Sequence, residues 1–289
     1  MVRVTITGSG TPLMVRGRAG PGVLVEVGRD VKLQFDAGRG TSLRLTEAGV
    51  NLLDLTAVFL THHHSDHLVG LTDLAISWWL EHPRTENRPL AVIAPEGQAA
   101  DIAEHLLDPW EAEMTMRAAH TARESNASIQ VTRFAATDRV EPVFSVDDVV
   151  VSAIHVRHEP VVPAVAYRVD TPEGAVVISG DTAVCPALEK IATGAAVLVQ
   201  EAFRPAAIPD GMLSDPLALA DYHAEVGAIG EMAERAGVGT LMLTHLIPPP
   251  QSAEDRVGFV NDLRRAGYHG PAVVAEDLDS VDFSAPADA

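Results

Sequence analysis

One stretch limits what this chain can fold into more than any other: Thr61-His62-His63-His64-Ser65-Asp66-His67-Leu68. An apolar run, Ala57-Val58-Phe59-Leu60, leads into it, and a helix-like run, His67-Leu68-Val69-Gly70-Leu71, leads out. The spacing is His-x-His-x-Asp-His, with His62, His64, Asp66 and His67 at the ligand positions. Imidazole nitrogen and carboxylate oxygen are what zinc takes where thiolate is absent. His62 and His64 are two apart, so in an extended loop leaving a strand they point the same way. Asp66 and His67 fall at the start of the next helix and turn back toward a second ion. One tight loop thus offers two pairs of ligands to two neighbouring metals. A solvated polar loop is the plain alternative, but four ligand-type side chains directly after a buried strand argue against it. His63 faces away from the other histidines, toward solvent or the surroundings of the ligands.

Composition narrows the setting. A length of 289 residues suits one large α/β domain or two small ones. Aromatics are only 4%, so the core must rest on Val, Leu, Ile and Ala. The single cysteine, Cys185, excludes an internal disulfide framework and a Cys-rich zinc site, and it fits a reducing, cytoplasmic setting. The first residues alternate like a strand and lack the apolar core of a leader peptide. No apolar run approaches the roughly 18 residues of a membrane span. The net charge is -19, and Lys32 and Lys190 are the only lysines. A chain that grips nucleic acid should carry a basic patch, and none is visible. The acidic balance does not oppose a small anionic substrate at a metal centre.

Strands are expected at 2–7, 23–27, 31–35, 57–60, 90–94, 129–134, 149–156 and 164–169. Gly8-Ser9-Gly10-Thr11-Pro12 reads as a turn-rich loop without the Lys-Ser/Thr of a phosphate-binding loop. Asp36, at a strand end before Ala37-Gly38, is either a turn former or a hydrogen-bond partner of the metal loop. A helix at 42–48 is stopped by Gly49. Ser65 is the expected N-cap of a helix carrying Leu68, Leu71, Leu74, Ala75, Trp78 and Trp79, the two tryptophans being core or dimer packing. Residues 98–124 read as helix interrupted at Asp108-Pro109. Three further apolar strands stop at functional side chains: 175–179 before Gly180-Asp181-Thr182, 197–200 at Glu201, and 240–244 at His245. Helices are expected at 186–192 and about 223–236.

Functional groups at strand ends of an α/β sheet are where a site belongs. The pattern fits an α/β chain folded as one four-layer αββα sandwich, two packed mixed sheets with helices outside, over residues 1–283. Residues 284–289 are expected to be a disordered tail. A catalytic zinc needs about three protein ligands and an open position for water. Two ions therefore require more histidines and a bridging carboxylate, and the second half offers His155 or His158, Asp181 and His245. His82, His105, His120 and His269 lie away from strand ends and read as surface residues.

With these stretches assembled, the chain resembles metallo-β-lactamase superfamily hydrolases, closest to the branch of ribonuclease Z and arylsulfatase-type enzymes. The matching segments are Gly8-Ser9-Gly10-Thr11-Pro12, Phe35-Asp36-Ala37-Gly38-Arg39-Gly40, residues 61–67, His158 with Pro163-Ala164-Val165-Ala166-Tyr167, Ser179-Gly180-Asp181-Thr182, Glu201-Ala202-Phe203, His223 and Leu243-Thr244-His245. The resemblance implies that His62, His64 and His158 hold one zinc, that Asp66, His67 and His245 hold the other, and that Asp181 bridges. It implies catalytic roles for Asp66, Glu201 and His223, the last two assisting the leaving group. It further implies two Zn²⁺ per chain, with Mn²⁺ or Fe as alternatives, and a homodimer. The expected activity is phosphodiester hydrolysis by a metal-activated water, with lactones, carboxylic esters or sulfate esters as the alternative. No Gly/Pro/Lys-rich insertion is present to serve as a tRNA-binding arm. A small-molecule ester is therefore expected as substrate rather than tRNA, with no membrane partner.

Overall fold

The computed structural model describes residues 1–86, 88–208, 219 and 221–285. Its strands follow the chain as β1 (Val2–Gly8), β2 (Gly22–Val27), β3 (Val31–Phe35), β4 (Ala57–Phe59), β5 (Leu90–Pro95) and β6 (Ile129–Phe134). Then come β7 (Glu141–Val146), β8 (Val149–His155), β9 (Val165–Thr171), β10 (Gly174–Ile178), β11 (Val197–Phe203), β12 (Thr240–Ile247), β13 (Ala272–Val274) and β14 (Ser280–Phe283). They form two seven-stranded sheets, β14-β1-β2-β3-β4-β5-β6 and β13-β12-β11-β10-β9-β8-β7.

The two sheets share one plan. In the first, β14, β1, β2 and β3 pair antiparallel and β3, β4, β5 and β6 parallel. In the second, β7 to β10 pair antiparallel and β10 to β13 parallel. The inner parallel strands β3, β4, β5, β10, β11 and β12 are largely buried on both faces, which is why they read as apolar runs. In β4, Ala57 and Phe59 face the other sheet while Val58 and the following Leu60 face helices. Phe35 and Phe59 stack at 4.8 Å between the sheets, and the Tyr167 hydroxyl donates to Leu60 O at 2.7 Å.

Helices cover both outer faces, giving the expected α/β four-layer arrangement. Against the first sheet lie α1 (Thr41–Glu47), α2 (Ser65–Leu68), α3 (Leu71–Glu81), α4 (Gln98–His105) and α5 (Glu111–Thr121). Against the second lie α6 (Pro186–Ala192), α7 (Val226–Arg235) and α8 (Ala253–Arg265). Trp78 and Trp79 are core residues, their indole N–H groups donating to Arg88 O at 2.8 Å and Ser125 O at 2.9 Å. No helix among the described residues is long and apolar enough to cross a membrane.

Several local expectations need correction. Ser65 does not cap the helix after the metal loop. It is the first helical residue, and His64 stands at the cap position without a side-chain cap bond. That helix is two pieces rather than one, because Ala37 exchanges hydrogen bonds with its turn. The Ala37 N–H donates to His67 O at 2.8 Å, and the Gly70 N–H donates to Ala37 O at 2.9 Å. Strands β11 and β12 run on past Glu201 and His245 instead of stopping there. The helix expected from about residue 223 begins at Val226, so His223 belongs to the turn before it. His82 is buried, with Nδ1 2.8 Å from Trp78 O, and not a surface residue. Strands β7, β13 and β14 and helix α8 carried no expectation. Of the expected tail, residues 286–289 lie outside the described residues.

Candidate metal centre

The carboxyl ends of the parallel strands of both sheets meet at one place. β3 delivers Asp36, β4 delivers residues 61–67, β10 delivers Asp181, and β11 and β12 deliver Glu201 and His245. Each is carried there by local geometry. Gly180 has φ +59, and a Cβ on it would lie 2.9 Å from Thr61 Cβ, so only glycine lets β10 pass the metal loop closely enough to present Asp181. His245 is a bulge residue. Glu201 pairs with Thr244 but Ala202 pairs with Leu246, which leaves His245 unpaired with φ +46. A bulge re-aims a side chain without ending the strand, which is how a residue inside β12 reaches the site.

Three overlapping groups of side chains have ligand atoms within 4.8 Å of one another: His62, His64, His158 and Asp181; beside them Asp66, His67 and His245; and, sharing two of these residues, Asp181, His223 and His245. Asp181 lies between the first two. Its Oδ2 is 3.9 Å from His62 Nε2, 3.8 Å from His158 Nε2 and 3.6 Å from His245 Nε2, and its Oδ1 is 3.5 Å from His67 Nε2. The Nε2 atoms of His62 and His67 are buried and have no hydrogen-bond partner among the described residues. Buried polar atoms are rarely left so, and here they point at a common centre. A set of imidazoles and carboxylates without thiolate suits Zn, Mn or Fe, so the residues present fit metal ions.

Supporting groups fix the ring orientations, as metal-ligating histidines require. Asp36 accepts from Thr61 N at 2.8 Å and Thr61 Oγ1 at 2.8 Å, and its Oδ2 lies 2.7 Å from His67 Nδ1. Of the two readings of Asp36, partner of the metal loop is the one the geometry supports. Thr61 Oγ1 also lies 2.9 Å from His62 Nδ1, and His158 Nδ1 is 2.9 Å from Tyr222 O. Thr61 and Tyr222 were not singled out from the sequence. Their only signal is adjacency to His62 and His223.

The charges divide in a consistent way. Burial, reinforced by neighbouring imidazoles, pushes His62 well below its ordinary range and His158 down to about 4, and burial lowers His64 too. These rings are neutral and offer lone pairs to a cation. Burial also disfavours charge on His67, but Asp181 and Asp36 outweigh it and raise its pKa. Burial opposes ionisation of Asp181, yet His245 and His67 hold it well below the usual carboxylate range. A dication held by His67 would take the place of that proton.

His223 and Glu201 form a separate pair. His223 Nδ1 is 3.1 Å from Glu201 Oε1, and the Ala224 N–H donates to the same oxygen at 2.9 Å. Against burial, Glu201 raises the His223 pKa to about 9. His155 is not part of the cluster: its Nδ1 lies 3.7 Å from Asp138. His63 is likewise outside it. A cavity of about 300 Å³ opens over His64, Asp181, His223 and His245, walled by apolar side chains that include Pro12, Leu13, Ile208, Tyr222, Ile247 and Pro248.

Comparison with known proteins agrees with this geometry. A family model described as a beta-lactamase superfamily domain matches residues 33–246. The chain is 34% identical over 282 residues to a protein named ribonuclease Z from Mycobacterium marinum, covering 93% of this chain and 99% of that one. It is 35% identical over 289 residues to one of the same name from Mycolicibacterium paratuberculosis, covering 99% and 100%. Among solved structures, the metallo-beta-lactamase fold protein YhfI from Bacillus subtilis superposes with a TM-score of 0.71 at 20% identity, over 98% of this chain and 100% of that one. The short form of human tRNase Z superposes with a TM-score of 0.67 at 20% identity, over 97% and 99%.

Proposed function

The chain belongs to the β-lactamase superfamily as a metal-dependent hydrolase, and from that premise we propose that it is a dinuclear zinc phosphodiesterase with ribonuclease Z-like chemistry. The observation that carries the reading is the position of Asp181, within 3.5–3.9 Å of four imidazole nitrogens from both halves of the chain. His62, His64 and His158 would hold one ion, Asp66, His67 and His245 the other, and Asp181 would stand between them. When bound, such ions supply Lewis acidity and lower the pKa of water to about 7.

The chain's own residues supply the rest. Glu201 fixes the His223 ring through Nδ1, which leaves Nε2 as the donor toward the cavity. Against burial, the Glu201 carboxylate raises the His223 pKa, which favours the protonated ring that a donor needs. It delivers the proton to the leaving oxygen, a step typically worth about 10²–10⁴-fold. Asp66 accepts a proton from the attacking water. The apolar walls exclude bulk solvent and strengthen these electrostatic contacts.

The substrate is a phosphodiester, and a small one in this reading. Charge supports that choice: the chain carries -19, and no lysine or arginine lines the cavity among the described residues. The missing basic arm supports it less than the sequence suggested. The relatives named ribonuclease Z align over 99–100% of their own length, so those relatives carry no long segment that this chain lacks. The same reading takes residues 1–283 as one domain acting as a homodimer in the cytoplasm.

The test is turnover by zinc- and manganese-loaded protein of a chromogenic phosphodiester, a simple lactone and a precursor tRNA with a 3′ extension. Phosphodiester turnover that collapses in His223→Ala is the expected result. Lactone turnover alone would move the activity to carboxylic esters. Preferential cleavage of the tRNA would overturn the small-substrate choice.

A further inference from the structure

The two flanks of the chain that lie outside residues 33–246 meet beside the metal cluster. Loop 9–19 leaves β1 and returns toward β2. Asp277, in the turn between β13 and β14, has a side chain only 5% exposed and holds both ends of that loop. Its Oδ1 accepts from Ser9 N at 2.9 Å and Ser9 Oγ at 2.6 Å. Its Oδ2 accepts from Ala19 N at 2.7 Å and Arg44 Nε at 2.8 Å. Arg18, whose side chain is 6% exposed, donates to Ser9 Oγ at 2.7 Å and Ala275 O at 3.0 Å. Within the loop, Gly10 N donates to Ala19 O at 2.8 Å, and Arg39 donates to Thr11 O at 3.0 Å.

What this carboxylate immobilises is one wall of the reaction cavity. Pro12 and Leu13 face the space over His64, Asp181 and His223, and Ile247 and Pro248 close it from another side. The loop's far end abuts the metal loop itself: a Cβ on Gly20 would lie 2.9 Å from Asp66 O. Leu13 is 63% exposed between the anchored ends of the loop, and its side chain stands at the cavity mouth with apolar surface uncovered. Apolar surface beside a charged centre is complementary to a ligand with one charged and one apolar part.

We propose that Asp277 is a positioning residue that fixes loop 9–19 as a specificity wall, and that Leu13 on this wall selects an ester bearing an uncharged, apolar substituent such as an aryl group. This deepens the phosphodiesterase reading and rests on it for where the ester sits. The charged phosphoryl group lies over the metal-ligating side chains. The substituent lies against Leu13, Ile247 and Pro248, where covering a ring removes apolar surface from water. Loss of Asp277 leaves the Ser9 and Ala19 N–H groups unpaired, so the wall loosens while the metal ligands stay in place.

Two inert phosphinates separate these effects: diphenylphosphinate and dimethylphosphinate, titrated calorimetrically into the zinc-loaded full chain. The native protein is expected to bind the diphenyl compound about tenfold or more tightly. Leu13→Ser should cut that preference about threefold to tenfold. Asp277→Ala should cut it about tenfold, with zinc content unchanged and faster hydrogen exchange at Ser9 and Ala19. Equal binding of the two phosphinates by the native chain would overturn the proposal. So would an Asp277→Ala variant that loses affinity for both equally, the mark of a merely structural role. Should Asp277→Ala fail to fold, Leu13→Ser decides, and an unchanged preference there rejects the wall. A native chain that prefers the diphenyl compound but hydrolyses no phosphodiester would sink the functional reading and leave the wall standing.

Discussion

Between residues 57 and 68 a single strand, loop and helical turn carry four of the clustered side chains, whereas His158, Asp181 and His245 come from three separate places in the second half: the loop after β8, the end of β10 and a bulge inside β12. Both halves use the same sheet plan, three antiparallel pairings followed by three parallel ones. The first half concentrates its ligands in consecutive residues, where backbone continuity alone keeps them close. The second half relies on register: the bulge at His245, the close approach of Gly180 to Thr61, and the pairing of β10 with β11 and β12. A contiguous loop can lose one ligand and keep its shape. A side chain held between two sheets has no substitute.

The sharpest way to break this contrast is to remove the residue between the halves. Asp181→Ala is expected to lose metal from both positions and to lower turnover by about 10³-fold or more, on the order of 4 kcal/mol of transition-state stabilisation. Elemental analysis of the purified variant checks it, with His64→Ala beside it as the loop counterpart that should lose less metal. Full metal content in Asp181→Ala would reverse the ranking of the two halves.

His223→Ala comes next. Turnover should fall by about 10²–10⁴-fold with metal content unchanged, because His223 is held by Glu201 and the two groups built on His62, His64, His158 and on Asp66, His67, His245 are complete without it. Unchanged turnover would make the Glu201–His223 contact purely structural.

Asp36→Asn sharpens the account of the first half. Asp36 holds Thr61 and His67 together, and losing such a partner typically costs about 10–100-fold in metal affinity. A competitive chelator titration reads it. An affinity equal to native would mean that backbone continuity alone shapes the loop. The smallest effect is expected at His63→Ala: stability within about 0.5 kcal/mol of native and full metal content, checked by thermal unfolding and elemental analysis.

What could be read from the sequence follows from the same contrast. The loop at 61–67 was legible because its ligands are neighbours and their spacing is itself the signal. Asp181 and His245 were visible only as polar residues ending apolar runs, and choosing His158 over His155 needed the family resemblance. The structure separates that pair: His155 ends β8 facing Asp138, while the turn after it swings His158 onto Tyr222 O. Tyr222, Thr61 and Asp277 act through contacts with residues far along the chain or through a main-chain carbonyl, and neither leaves a pattern in the sequence.

By itself the sequence determined the alternation of buried strands with helices and the chemistry of the metal loop, because both depend on hydrophobic period and local spacing. Tertiary structure alone decided that β12 continues past His245 through a bulge, that the helix after the metal loop breaks where Ala37 bonds to its turn, and that Asp277 reaches back to Ser9 and Ala19. Each of these turns on which backbone N–H finds which acceptor across the fold. Such pairings are settled by the packing of distant segments, and every L-residue carries the same backbone groups whatever its side chain.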